Sequence, residues 1–560
     1  MFATKKQSLF QVTAKADKNT KEKKTMNPFL NGLAKESAKT LSGNSALKFS
    51  TTGNPYVDQF GKLGSFKTPR SFVDISNDCS TLWAEDKETF VKFTIYIRMI
   101  SRKTNIYLLN ISTKEPQSGA ELKHEGIMRM VWLHTKAPDL FWENIGLFIS
   151  AGNIKDIFTM LKYDLVYNGW DNRVLDWEKM GQFILTLLGD TSSLNLVKKY
   201  LPQIRSNTAC TTVESQANNI VAKWICSLLF GNKDGNYSSY RKYRKLKVSG
   251  TAHEWQQIIS RKEFDKLDFK KIHGRALNLL VKSKFLKNQN LSDKYQGWVK
   301  VQETIKYTGF VHELLCELST NRETLFQQTV DKQFLEVVNK VKNGDENLTK
   351  FIVVRDTSGS MGSTATGTKF SSGDIAKALA LYFSEFLTGD FAGHWIEFSS
   401  TAKLHKWKGS TPSERWYNDS SSYVGNTNFQ SVINLFVKMK KQGIDESNFP
   451  TGILCISDGE FDSSSLSKTN VESALEKLMN AGFSRHYVDN FKIVLWNIQN
   501  SFYGRNSGSK FETFGDVKNV YYLSGYSAGN VKFIMNNKVE TAEDLFNEAL
   551  NQELISLVKV

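Results

Sequence analysis

The sequence predicts two unlike folded units: an α-helical, repeat-like N-terminal domain, then an α/β Rossmann-like domain with a mostly parallel sheet. Three observations carry this reading. Apolar residues recur at three- and four-residue spacing as far as about residue 348, the period of a helix face. Beyond Asn347, short apolar runs alternate with helical patterns, as in chained βαβ units. The charge also divides there. Of a net +16, residues 351–560 hold 20 Lys+Arg against 22 Asp+Glu, so the rest of the chain carries +18. The division expected is a basic, disordered arm over 1–45, a helical domain over 46–348 and the α/β domain over 349–560.

Met1–Thr25 is Lys-rich with little apolar patterning, the composition of a disordered arm. The turn chemistry of Thr51-Thr52-Gly53-Asn54-Pro55 follows, ahead of an apolar-periodic stretch. Helical patterns run through 125–149, interrupted at Pro138, and through 177–189 and 217–231, the last closed by Gly231 as a C-cap. Two further patterns cover 307–318 and 325–344. No strict repeat period is present. In the C-terminal unit, strands are expected at 351–356, 394–400, 402–408, 452–458, 491–498 and 519–524. Helices are expected at 374–387, 428–442 and 471–482. A final helix, 542–558, closes the domain or packs back on the helical half. The continuous apolar character of 351–354, 452–456 and 493–496 suits strands covered on both faces.

Composition narrows the function classes. No apolar run approaches the ~18 residues of a membrane span, and Met1–Lys24 lacks the apolar stretch of a secretory signal. The five cysteines are widely spaced and form no CxxC pair, which argues against a disulfide framework and a zinc site and points to an intracellular compartment. The basic excess of the N-terminal part points to a polyanion, nucleic acid foremost. The plainer alternative is a solvated Lys-rich surface.

The strongest local signal is Asp356-x-Ser358-x-Ser360, directly after an apolar strand. Ligand sites of open α/β sheets form at the carboxyl ends of strands. One carboxylate and two hydroxyls at alternate positions offer hard oxygen donors, suited to Mg2+ and also to Mn2+ or Ca2+. Asp458, ending 452–458, and Thr427, ahead of the helix 428–442, lie in loops at the same edge of a parallel sheet.

This set resembles the metal-ion-dependent adhesion site of von Willebrand factor A domains. The resemblance implies that Ser358, Ser360 and Thr427 ligate the ion, that Asp356 and Asp458 supply charge directly or through water, and that a partner's acidic group completes the octahedron. More widely, "STTGNPYVDQF" (50–60), "MRMVWLHTKAPDLFWENI" (128–145), "VRDTSGSMG" (354–362), "VLWNIQNS" (494–501) and "LSGYSAGNVKFIM" (523–535) resemble a little-characterised group of plant, fungal and large-virus proteins known as a domain of unknown function, with an A-type domain at the C-terminus. The architecture is similar to the Ro autoantigen, or TROVE-domain, proteins, and "AGNIKDIFTML" (151–161) resembles their Gly-x-x-Lys-Asp helix start. That likeness implies RNA binding by the helical part.

Two basic clusters are candidate nucleic-acid contacts: Tyr240, Arg241, Lys242, Tyr243, Arg244, Lys245 and Lys247, and then Lys270, Lys271, His273 and Arg275. Lysines and arginines neutralise phosphates, and tyrosines stack on unpaired bases. Tyr240 and Tyr243 share a helix face and are equally readable as half-buried core. No phosphate-binding Gly-x-x-x-x-Gly-Lys loop and no His-Glu-x-x-His helix occurs, so no enzyme is expected. The function expected is a noncatalytic intracellular scaffold that binds RNA and an acidic protein partner. A protein-assembly or virion component is the alternative, with a metal-dependent hydrolase a third reading.

Overall fold

The computed structural model describes residues 39–41, 47–49, 53–63, 70–100, 123–231, 237–249, 254–342, 350–498, 518–524 and 541–560, apart from 273, 308, 366–367, 388, 420, 422, 460 and 465–467. The expected arm lies outside these residues, except that Lys39–Leu41 pairs antiparallel with Leu47–Phe49.

All six expected strand regions of the C-terminal half form one sheet: β1 Phe351–Asp356, β2 His394–Phe398, β3 Ala402–Lys406, β4 Gly452–Ser457, β5 Lys492–Asn497 and β6 Val520–Ser524. Their order is β3-β2-β1-β4-β5-β6. All neighbours are parallel except the edge pair β2–β3. Only three residues separate those two strands, too few for the crossover a parallel pair requires. Side chains alternate across the pleat. Phe351 and Val353 enter one core, and Ile352 and Val354 enter the other. Helices Gln430–Lys441 and Asn470–Asn480 cover the second face, while Ser372–Ser384 covers the first. Two short helices escape the apolar pattern, Pro412–Asn418 and Arg485–Asn490, and each starts at a side-chain cap, on Thr411 and Ser484.

The N-terminal half is helical from Pro55–Lys62 to Thr324–Lys342. The turn at Gly53-Asn54-Pro55 opens its first described helix, with the Asn54 side chain accepting from the N–H groups of Tyr56 and Val57. The Gly-x-x-Lys-Asp segment has a structural cause. Asp156 is fully buried and accepts from Arg98 Nε at 2.6 Å, with Lys123 Nζ 3.1 Å away. A Cβ on Gly152 would lie 2.3 Å from Asp156 Oδ2 and 2.5 Å from Arg98 Nε, so the close approach of this ion pair excludes any side chain there.

The expected final helix is shorter than 542–558. It spans Ala542–Leu550, stops at Asn551, and resumes as a single turn over Ile555–Leu557. It packs on the helical half: Phe546 meets Tyr56, Phe60 and Phe93. The Asn144 side chain donates to Lys559 O at 2.7 Å and accepts from Lys559 N at 3.0 Å. A second junction joins the halves at Asp331, whose two carboxylate oxygens accept from the N–H and hydroxyl of Ser413, each at 2.8 Å. One core therefore spans the expected boundary at 348/349.

Candidate functional site: an oxygen-donor cluster at the strand ends

Sheet order reverses between β1 and β4, and Asp356 and Asp458 stand at the carboxyl ends of these two strands. Such a reversal opens a crevice where doubly wound sheets place ligands. Both carboxylates are buried, at 0% and 3% exposure. Asp356 Oδ1 accepts from Ser358 N at 2.8 Å, and Oδ2 accepts from Ser457 Oγ at 2.5 Å. The hydroxyls of Ser358 and Ser360 lie 3.2 Å apart.

Backbone bonds draw the third loop in. Gly359 N donates to Gly425 O, and Val424 N to Thr357 O. Thr427, 4% exposed, follows on that loop, and its carbonyl accepts from Asp462 N in the segment after Asp458. All five predicted positions thus sit on three loops stitched together at one sheet edge. Gly425 has φ +88°, and a Cβ there would meet Ser400 Oγ at 2.7 Å, so the loop needs glycine on both counts.

The electrostatics suit a cation. Burial, and then the charge of Asp458, push the Asp356 carboxyl up to about 7. The hydrogen bonds from Ser457 and Ser358 oppose this, and no lysine or arginine is among the groups that move it most. Among the described residues, no three His, Cys, Asp or Glu side chains gather to hold an ion. An ion here would rest on two carboxylates and on the hydroxyls of Ser358, Ser360 and Thr427, an all-oxygen set that fits Mg2+ and its hard relatives.

Ser457 and Arg355 were not singled out in the sequence. Arg355 is fully buried on the opposite face of β1 from Val354. It donates to Asp419 at 2.6 Å and to the Tyr423 hydroxyl at 3.2 Å, with Lys377 Nζ 3.3 Å from the same Asp419 carboxylate. Burial raises the Asp419 carboxyl, but the charges of Arg355 and Lys377 outweigh it and hold it at about 2. Arg355 thereby pins the loop that leads to Thr427. Its signal in the sequence is a base inside an apolar strand, which requires a buried acid.

The basic clusters divide. Arg241, Lys242, Arg244, Lys245 and Lys270 are exposed. Tyr243 is fully buried, with its hydroxyl on Pro202 O at 2.9 Å, and presents no stacking face; the expected base contact is corrected to a core role. Tyr240 is half-buried against the same core. Lys247 donates to the carbonyls of Lys199 and Leu201, at 3.2 and 2.5 Å, at the end of helix Leu194–Tyr200. Lys271 pairs with Glu254 and Arg275 with Glu313. His273 lies outside the described residues. Burial lowers the Lys247 pKa, and the charge of Lys155, a residue outside both clusters, adds to that shift.

The six-stranded, mostly parallel sheet makes the C-terminal half an α/β domain, with two buried acids where its strand order reverses. Residues 350–556 match the model of a family described as a domain of unknown function (DUF7788). No curated protein matches the chain. No helix among the described residues is long and apolar enough to cross a membrane. The five cysteines are all buried and none is in a disulfide.

Proposed function

We propose that the C-terminal half is a von Willebrand factor A-type module that binds a divalent cation, Mg2+ foremost, through Asp356, Ser358, Ser360, Thr427 and Asp458, and through that ion an acidic residue of a protein partner. The single observation that supports this most is the full burial of Asp356 beside Asp458, with the Ser457 hydroxyl and the Ser358 N–H bound to Asp356 and no lysine or arginine among the groups that most move its carboxyl. Two buried carboxylates without a cation are costly. A hard cation relieves that cost and uses the hydroxyls as further ligands. The strand order and the position of both acids at its reversal agree with this reading.

The helical half is the RNA-binding part of the proposal. Its support is the +18 charge of residues 1–350 and the exposed row Arg241, Lys242, Arg244 and Lys245 on helix Tyr237–Ser249. The reading is a noncatalytic scaffold that joins an RNA to an acidic protein. Binding of a fluorescent single-stranded RNA to the full chain, and Mg2+-dependent binding of an acidic peptide, test the two halves. Peptide binding that survives both EDTA and Asp356→Ala contradicts the ion-mediated contact. RNA affinity indifferent to salt contradicts the electrostatic one.

A further inference from the structure

A cavity lies where the halves meet. Its volume is about 320 Å3, and it is lined by helix Arg275–Lys282, by Tyr307 and the segment 312–317, and by Thr368, Lys369 and Phe370 from the α/β half. The last three residues belong to a loop closed by the Thr364–Ser371 bridge and by the bond from Ser372 N to Ser363 O, directly after the Ser358–Ser360 turn.

Three features of its wall specify chemistry. Arg275, Lys282 and Lys369 face it with only Glu313 and Glu317, an excess of one positive charge. Glu317 is shared between Lys282 and Lys369, at 2.5 and 2.9 Å. Lys369 is 63% exposed along its side chain, so its hold on Glu317 is of the weak, solvent-screened kind and yields to a stronger anion. The second feature is Asn278, 6% exposed, whose Oδ1 is buried with no hydrogen-bond donor among the described residues. Its side chain lines the cavity and offers a ligand a polar contact there. The third is apolar: the rings of Tyr307 and Phe370, both nearly buried, give a flat group a surface to pack on.

We infer that this cavity is a binding site for a nucleoside monophosphate, with its phosphate toward Lys369 and Arg275 and its base toward Asn278 and the rings of Tyr307 and Phe370. The volume lies in the range of small-molecule sites, roughly 300–1,000 Å3. The occupant touches both halves, so it ties the loop after Ser360 to helix Arg275–Lys282. This is separate from the proposed RNA surface on helix Tyr237–Ser249 and does not depend on the ion site.

The test is calorimetric titration of the full chain with AMP, GMP, CMP and UMP in turn, with inorganic phosphate as the anion-only control, on wild type, Asn278→Leu and Lys369→Glu. At least one nucleotide is expected to bind wild type more tightly than phosphate. Each substitution is expected to weaken it about tenfold or more, as loss of a charged or buried hydrogen bond does. Asn278→Leu removes an acceptor that has no donor, so the melting temperature of the free protein is expected to hold or rise; a fall shows that Asn278 is structural and overturns its assigned role. Lys369→Glu, on an exposed loop residue, keeps the test independent of folding. Equal affinity for phosphate and all four nucleotides, no binding at millimolar nucleotide, or unchanged affinity in both variants overturns the inference.

Discussion

The Ser457 hydroxyl donates to Asp356 Oδ2 at 2.5 Å, across the neighbouring strand ends of β4 and β1. It is a neutral donor to a buried acid at the position where two carboxylates converge. Ser457→Ala leaves that oxygen without this donor. The expected cost is about 1–3 kcal/mol at pH 8, read as a lowered urea midpoint with an unchanged slope. An unaltered midpoint means that the bond is not formed.

Asp356 makes metal-free stability depend on pH in a direction opposite to that of most carboxylates. Its folded value, about 7, lies above the ordinary 3.8. Between these values the folded state holds the extra proton, so stability is highest below about pH 4 for this group and declines as pH rises to about 7. In EDTA, Asp356→Asn is therefore expected to be more stable than wild type at pH 8, by an amount on the order of a few kcal/mol, and the gain is expected to fade towards pH 4. Equilibrium unfolding across that range checks it; a variant less stable than wild type at pH 8 contradicts it.

Asp419 titrates with the opposite sign. Its carboxyl is held at about 2 beside Arg355 and Lys377. Its contribution is full above the unfolded value near 3.8 and is lost as pH falls through about 2. Asp419→Ala strands the buried Arg355 guanidinium and is expected to cost about 3–5 kcal/mol at neutral pH. The difference between variant and wild type narrows between pH 4 and pH 2. A constant difference across that interval shows that the charge pairing is not its source.

Gly425→Ala strikes the loop ahead of Thr427. The positive φ and the 2.7 Å approach to Ser400 Oγ require the backbone to shift. The strained backbone alone costs on the order of 1 kcal/mol or more. The larger effect expected is on cation affinity, because Gly425 O holds Gly359 N. Retained Mg2+ affinity in this variant shows that Thr427 is not a ligand.

On the helical half, replacing Arg241, Lys242, Arg244 and Lys245 together with Ala is expected to lower the salt slope of single-stranded RNA binding by about 3, from about 0.7 per phosphate contact. Anisotropy titrations at several salt concentrations measure it. An unchanged slope moves the contact elsewhere, with Lys155 and Lys247 the next residues to replace.

Much of the C-terminal half was legible because parallel strands covered on both faces read as continuous apolar runs, as in Ile453–Ile456. The site positions were legible because Asp356 and Asp458 each end such a run. Arg355 and Ser457 were missed because their meaning depends on partners 64 and 101 residues away. Tyr243 reads either as a base contact or as core, and Lys247 as surface, because a basic helix resembles a binding face in one dimension; the packing of helix Leu194–Tyr200 turns them inward. Helix Ala542–Leu550 could be expected, but not its seat on Tyr56, Phe60 and Phe93, which is a choice between two apolar surfaces.

The most direct test of the proposed ion site is calorimetric titration of the full chain with Mg2+ at pH 8, where Asp356 is ionised. One ion is expected to bind per chain and to raise the melting temperature, with both effects absent in Asp356→Asn. No heat and no thermal shift in wild type, or the same response in both proteins, contradicts a metal site at Asp356.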